Sequence, residues 1–225
     1  MLYITGDTHG ELSRIMNIND EGLTKEDYII VLGDFGFVWE NGPRTLENLK
    51  QIGSKKFSLV FLDGNHENFT KIKEISSEIE WHGGKADLLP HGIVHLKRGE
   101  IYNINGKIVG VCGGADSIDK IFRTEGVSWW ADETITDDDV LNFKDNLARC
   151  GKVDIMLSHD APASIIPAMR VFSQVNGYCS ISVSQMKLEE ILYLTNPAKW
   201  YFGHWHMDKQ INDQFECLYR SFKEI

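Results

Sequence analysis

The chain has 225 residues, with 33 acids against 23 bases, a formal charge of −10, 42% hydrophobic and 25% charged residues. That size and apolar content predict one domain over residues 1–225, with no need of disulfides or a structural zinc to fold. The acidity argues against a protein that must neutralise long runs of nucleic-acid phosphate. It leaves room for a small phosphorylated ligand held by a local positive site.

Residues 2–6 read as a short apolar strand, followed by one or two helical turns over 11–18. Tyr28–Leu32 is a continuous apolar strand, residues 43–52 a helix with Pro43 in its first turn, and residues 57–62 a third buried strand. Short runs apolar on both faces, separated by helices, predict a parallel sheet covered on both sides. Ile93–Leu96, residues 100–104 and residues 107–111 then read as antiparallel strands, with Asn105-Gly106 as a type I′ hairpin turn. Residues 113–133 form a long irregular stretch containing Trp129 and Trp130. Thr136 caps a helix through residue 149, with Asp137, Asp138 and Asp139 at its positive end. Residues 153–157 are another apolar strand, and Ser182 with Gln185 forms a capping box ahead of a helix to about residue 194. Strands at 200–202 and 215–219 complete a layout of two packed sheets flanked by helices, an α/β sandwich of mixed strands.

The first residues carry neither the basic stretch nor the apolar core of a secretion signal, and the longest apolar runs are strand-length. Cys112, Cys150, Cys179 and Cys217 are scattered, which suits reduced and mostly buried thiols. The expectation is a cytoplasmic protein with no membrane segment.

The chemistry lies where the strands end. Those ends read Gly6-Asp7-Thr8-His9-Gly10, Gly33-Asp34, Gly64-Asn65-His66-Glu67, Ser158-His159-Asp160 and Gly203-His204-Trp205-His206. Ligands of α/β folds gather at the carboxyl ends of strands, so five such ends converge on one crevice. Five of the eight histidines fall there. His82, His91 and His95 lie apart, without acid or amide partners, and read as structural or surface residues. Any one of these segments alone is ordinary turn or cap chemistry. Together they offer two carboxylates, one amide oxygen and four imidazoles without a thiolate, a donor set suited to Mn, Fe, Zn, Co or Ni. That is enough for two ions, which could clamp a phosphoryl group between them.

In their order, the five segments resemble the motifs of the calcineurin-like metallophosphoesterases, over residues 6 to 206. The resemblance implies a four-layer α/β/β/α sandwich with two divalent transition-metal ions, Mn being the first choice in vitro. Asp7, His9 and His206 would hold one ion, Asn65, His159 and His204 the other, and Asp34 would bridge them. A metal-bridging hydroxide would attack phosphorus, and His66, not a ligand, would assist the leaving-group oxygen.

Two features narrow the class. Protein Ser/Thr phosphatases of this superfamily carry Gly-Asp-x-x-Asp-Arg-Gly at the second motif, whereas Gly33-Asp34 here precedes Phe35-Gly36-Phe37-Val38. The phosphate-clamping Arg is absent, and the carboxylate that orients His66 must come from elsewhere, with Asp63 and Asp116 as candidates. Bis-nucleoside tetraphosphatases are disfavoured on the same ground. Thr8-His9-Gly10-Glu11-Leu12, Gly33-Asp34-Phe35, Gly113-Gly114, Ser117-Ile118-Asp119-Lys120, Arg123 and residues 155–162 look like segments of the RNA lariat debranching enzymes, a shared scaffold and not a shared substrate, with Asp7 where many of those have Cys.

The resulting expectation is a hydrolase of phosphate diesters or monoesters, acting on a small phosphorylated substrate with nucleotides among the candidates. A nucleotide or nucleic-acid phosphodiesterase is the alternative within enzymes, and nucleic acid is disfavoured by the charge. A metal-binding, non-catalytic scaffold is the alternative from another class. The 113–133 stretch should border the site. There Arg123 could bind a phosphate oxygen and a Trp could stack on a base; a Trp pair that merely caps the core fits equally well.

Overall fold

The structure is a computed structural model that describes residues 1–40, 42–173 and 180–225. Along the chain run β1 (Leu2–Thr5), α1 (Leu12–Met16), β2 (Tyr28–Leu32), α2 (Pro43–Gly53), β3 (Ser58–Leu62) and α3 (Phe69–Ile75). Next come β4 (Ser77–Trp81), β5 (Gly84–Leu89), β6 (Ile93–Leu96), β7 (Ile101–Ile104), β8 (Lys107–Cys112) and α4 (Asp137–Cys150). The remainder is β9 (Ile155–Ser158), α5 (Ile166–Ser173), α6 (Val183–Thr195), β10 (Lys199–Phe202), β11 (Lys209–Gln210), β12 (Phe215–Cys217) and β13 (Lys223–Glu224).

Among the described residues the strands form two mixed sheets, ordered β13-β1-β2-β3-β6-β5-β4 and β11-β12-β10-β9-β8-β7. β1, β2, β3 and β6 run parallel in the first, and β8, β9, β10 and β12 in the second. Side chains alternate across each strand, so one strand feeds two cores. Ile30, Leu32, Val60 and Leu62 meet Val109, Val111, Leu157 and Tyr201 between the sheets. Ile29, Val31, Leu59 and Phe61 face the other way, against Ile15 of α1, Leu49 of α2 and Ile72 of α3. Met156, Trp200 and Phe202 do the same against Phe143 of α4, Met169 of α5 and Leu188 of α6. Helices, sheet, sheet, helices: four layers, as the motifs imply. Each fully buried aliphatic side chain contributes roughly 1.5–3 kcal/mol by removal from water.

The expected local signals hold where turn and cap chemistry is strong. Asn105 (φ 54°) and Gly106 (φ 81°) make the β7–β8 hairpin turn. Thr136 with Asp139 and Ser182 with Gln185 form complete capping boxes.

One placement is corrected. Ile93–Leu96 does not belong with the two strands after it. As β6 it pairs parallel with β3 and antiparallel with β5, and the chain crosses to the second sheet before β7. All four of its residues are buried, which suits an interior strand and not a hairpin arm. The described cysteines are mostly buried, as expected: Cys112 and Cys217 are buried and Cys150 is exposed, while Cys179 lies outside the described residues. Among the described residues no helix is long and apolar enough to cross a membrane.

Candidate metal centre

The loops after β1 and β2 are tied to each other. Thr8 and His9 N–H both donate to the Asp34 carbonyl (3.1 and 2.8 Å), and Gly10 N–H donates to Phe35 (2.9 Å). The loops after β9 and β10 are joined by Gly203 N–H on the His159 carbonyl (2.9 Å). Bonds from the second sheet to the first then fix the seam. His159 Nδ1 donates to the Leu32 carbonyl (2.7 Å), His204 N–H to Asp7 Oδ1 (2.9 Å), and Gly114 N–H to the Asp63 carbonyl (2.8 Å). The crevice stands over the line where the two sheets meet.

Four of its residues adopt left-handed backbone: His9 (φ 46°), Asp34 (φ 49°), His204 (φ 66°) and His206 (φ 48°). Such conformations cost of order 1–3 kcal/mol each outside glycine and gather at functional sites. Glycine is required beside them. A Cβ on Gly33 would collide with the His159 ring, and one on Gly64 with Asp34 Oδ1.

Two donor groups result, with atoms mutually within 4.8 Å: Asp7, His9 and His206, and Asp7, Asp34 and His159. His9 Nε2 lies 2.9 Å from His206 Nε2, which itself lies 3.1 Å from Asp7 Oδ2. Yet Asp7 Oδ2 is buried and receives no well-formed hydrogen bond. Asp34 turns Oδ1 toward His159 Nε2 (3.4 Å) and Oδ2 toward His9 Nδ1 (3.8 Å), while His66 N–H donates to Oδ1 (2.8 Å). Because His159 spends its Nδ1–H on Leu32, Nε2 is the ring nitrogen that faces Asp34 and Asn65 Oδ1 (3.2 Å). A buried carboxylate oxygen without a donor, imidazole nitrogens aimed at one another and an all N/O set fit a divalent cation.

Charge follows the geometry. Burial alone would raise the carboxyls of Asp7 and Asp34. The imidazoles of His206 and His159, with the His204 and His66 N–H groups, overturn this and hold both below the usual carboxylate range. Burial opposes protonation of His159, but Asp34 and Asp7 raise it to about 10. Glu67 is pushed up to about 8 by burial and by Asp34, and is held by Phe35 N–H at 2.6 Å.

The structure thus brings together Asp7, His9, Asp34, Asn65, His159 and His206. His204 stands beside them, its ring 5.0 Å from that of His159, outside both close groups. His66 lines the same crevice, 5.7 Å ring to ring from His9.

Neither acid expected to orient His66 does so. Asp63 is occupied by Arg98 (Nη2 at 2.5 Å) and His95 (3.3 Å), and Asp116 by Thr134 Oγ1 and Ser184 N–H (2.8 Å each). The nearest partner of His66 Nδ1 is instead Arg123 Nη1 at 3.1 Å. His95 also departs from expectation. It is buried with two acid partners, Asp63 and Asp87, 3.3 Å away on either side of its ring. His82 is structural, bonded to Tyr28 Oη at 2.9 Å. Trp130 takes the core-capping role, its Nε1 on Thr70 Oγ1 and its ring edge-on to Trp39, whereas Trp129 lies under Lys120.

Some supporting residues carry no local motif. Asn65 Nδ2 donates to Ser117 Oγ (3.0 Å), and Ser117 donates through both Oγ–H and N–H to buried Glu133 (2.8 and 2.6 Å). This chain leaves Asn65 Oδ1 as the atom turned to the crevice. Arg14 holds the Asp7 and Tyr219 carbonyls, and Tyr219 stacks on His206 at 4.8 Å.

Residues 2–208 match the family of calcineurin-like phosphoesterases, and the chain belongs to that family. That family is one of phosphoesterases, a class that uses divalent metal ions. The lariat debranching enzymes of Drosophila melanogaster and Drosophila pseudoobscura pseudoobscura are each 26% identical to this chain, over 241 and 240 residues. Each alignment covers 90% of this chain and 42% of the relative, so the chain spans less than half the length of those enzymes. The crystal structure of TT1561 of Thermus thermophilus shares the fold, with a TM-score of 0.52 at 11% identity, covering 96% of this chain and 87% of that one.

Proposed function

We propose that this chain is a binuclear metal-dependent phosphoesterase acting on a small phosphorylated substrate, diester or monoester. One observation carries the reading: the two carboxylate oxygens of Asp34 face imidazoles from opposite sets, His159 on one side and His9 on the other. Asp7, His9 and His206 would hold one ion, Asn65, His159 and His204 the second, and Asp34 both. When bound, such ions supply positive charge to the phosphoryl oxygens and activate a water molecule.

The chain's own residues do the rest. Asp34 and Asp7 remain ionised through their imidazole and N–H partners, and the Ser117–Glu133 pair keeps the Asn65 amide from rotating. His66, outside both donor groups, offers a ring N–H to the leaving-group oxygen. Residues 1–225 act as one domain, supported by the apolar core shared between the sheets. The unpaired state of Cys112, Cys150 and Cys217 supports a cytoplasmic setting.

Metal analysis of the purified protein should return two ions per chain, and one ion would sink the binuclear reading. Turnover with Mn across phosphomonoesters, cyclic nucleotides, dinucleotides and short RNA or DNA then sorts the substrate class. Similarity to enzymes named for lariat debranching makes the nucleic-acid arm worth including. The −10 charge predicts that small esters outrun it.

A further inference from the structure

We propose that Arg123 is the positioning residue of His66, and that it fixes the ring as an uncharged Nε2–H donor toward the leaving group. The proposal rests on the phosphoesterase reading and adds a partner to it. Arg123 Nη1 lies 3.1 Å from His66 Nδ1. A guanidinium has five N–H donors and no acceptor, and it stays charged at any pH a protein survives. The donor in this contact is therefore Arg123, and His66 Nδ1 accepts. A neutral imidazole that accepts at Nδ1 carries its proton at Nε2.

The contact is built in advance. Asp119 Oδ2 takes Arg123 Nη2 at 2.7 Å, and the Ser128 carbonyl lies 3.4 Å from Nη1. The Arg123 N–H closes the preceding turn on Lys120, and Thr124 and Ser128 are cross-bonded just beyond it. The Arg123 side chain is 20% exposed. At the other end, the His66 main-chain N–H is bound to Asp34 Oδ1. Backbone and ring of His66 are thus held by different partners.

The chemistry differs from that of a histidine paired with a carboxylate. A carboxylate accepts a hydrogen bond from Nδ1–H and favours an imidazolium that can hand over its Nε2 proton outright. A guanidinium at the same nitrogen repels that imidazolium. It leaves Nε2–H to stabilise the departing oxygen by a hydrogen bond, with the proton finally coming from solvent. No bond to His66 forms or breaks.

The test uses the full chain loaded with zinc, which is diamagnetic. Nitrogen-15 NMR of the histidine rings should show His66 protonated at Nε2 only. Arg123→Met should let the Nδ1–H form appear, and Arg123→Lys, which still donates, should restore the original spectrum. In turnover of diesters differing only in leaving group, Arg123→Met should lower kcat for an alkoxide on the order of 10-fold or more, with KM nearly unchanged, as expected for an outer partner that orients a working group. The effect should shrink for p-nitrophenolate and vanish in a His66→Ala background.

A wild-type ring protonated at Nδ1 overturns the proposal. So does an Arg123→Met enzyme whose KM rises while its kcat and His66 spectrum stay unchanged, because Arg123 would then clamp substrate phosphate directly. If His66→Ala alone leaves alkyl-ester turnover intact, it is the leaving-group role of His66 that fails, and the ring spectrum still decides the role of Arg123.

Discussion

Gly64 and Asp34 occupy each other's space: a methyl group on Gly64 would fall on Asp34 Oδ1 and within 2.4 Å of the Asp34 N. The bridging carboxylate of the proposed centre therefore depends on a residue that has no side chain.

Gly64→Ala should displace Asp34 and His159, whose Nε2 also lies 2.8 Å from the would-be Cβ. The expected outcome is a folded protein, destabilised by about 1–3 kcal/mol, that retains at most one ion. Circular dichroism with metal analysis checks this. A variant with two ions and wild-type turnover would show that the loop can shift at no functional cost.

Asp34→Asn should disable turnover more than the change of any single terminal ligand, because Asp34 alone would serve both ions. Metal content must be read beside the rate. Full activity with both ions retained would contradict the bridging assignment.

Ser117→Ala removes the link between Asn65 and Glu133. Without it the Asn65 amide is free to turn its NH₂ toward the crevice. Affinity for the second ion should fall about 10–100-fold, the usual consequence of losing an outer-sphere partner, while the first ion is held as before. Stepwise titration of chelated protein with Mn separates the two sites, and an equal loss at both would point to general unfolding of the loop.

The Asp63–His95–Asp87 cluster gives stability a pH dependence away from the metal ligands. Burial opposes the charge on His95, but the two carboxylates raise its pKa to about 9. The unfolded value is about 6.5. A pKa raised on folding contributes stability that is fully present below pH 6.5 and is lost as pH rises through about 9. His95→Gln should therefore destabilise chelated protein most near pH 6, by up to about 3 kcal/mol. The deficit should disappear by about pH 9.5. Urea unfolding of both proteins across that range measures it, and a constant deficit would mean that His95 acts through packing on Phe61 alone.

Legibility from sequence follows the range of the physics. The strands that end in site residues are readable because they are continuous apolar runs, and the ligand set because unusual residue types follow each one. β4 and β5 are not. Glu78 and Glu80 project from an exposed edge strand, and the turn at His82 (φ 47°) and Gly83 (φ 85°) carries no Asn-Gly signal. The sequence points to an acid as the partner of His66 because acids do that work in related enzymes, whereas a cation supplies it from a loop 57 positions away. Glu133 is invisible for a plainer reason: nothing near it in sequence distinguishes a buried carboxylate that anchors Ser117 from a surface one.

His9 and His206 meet at 2.9 Å although 197 positions separate them. An ion shared by these two would close almost the whole chain into a ring, with the first strand and the tenth as its clasp. Holding the metal and holding the ends of the fold together then become one equilibrium, tightened by mass action as free ion rises. Chelation would open the clasp rather than merely empty a site. Protease sensitivity should then appear together in the loop after β1 and the loop after β10, before either sheet loosens elsewhere.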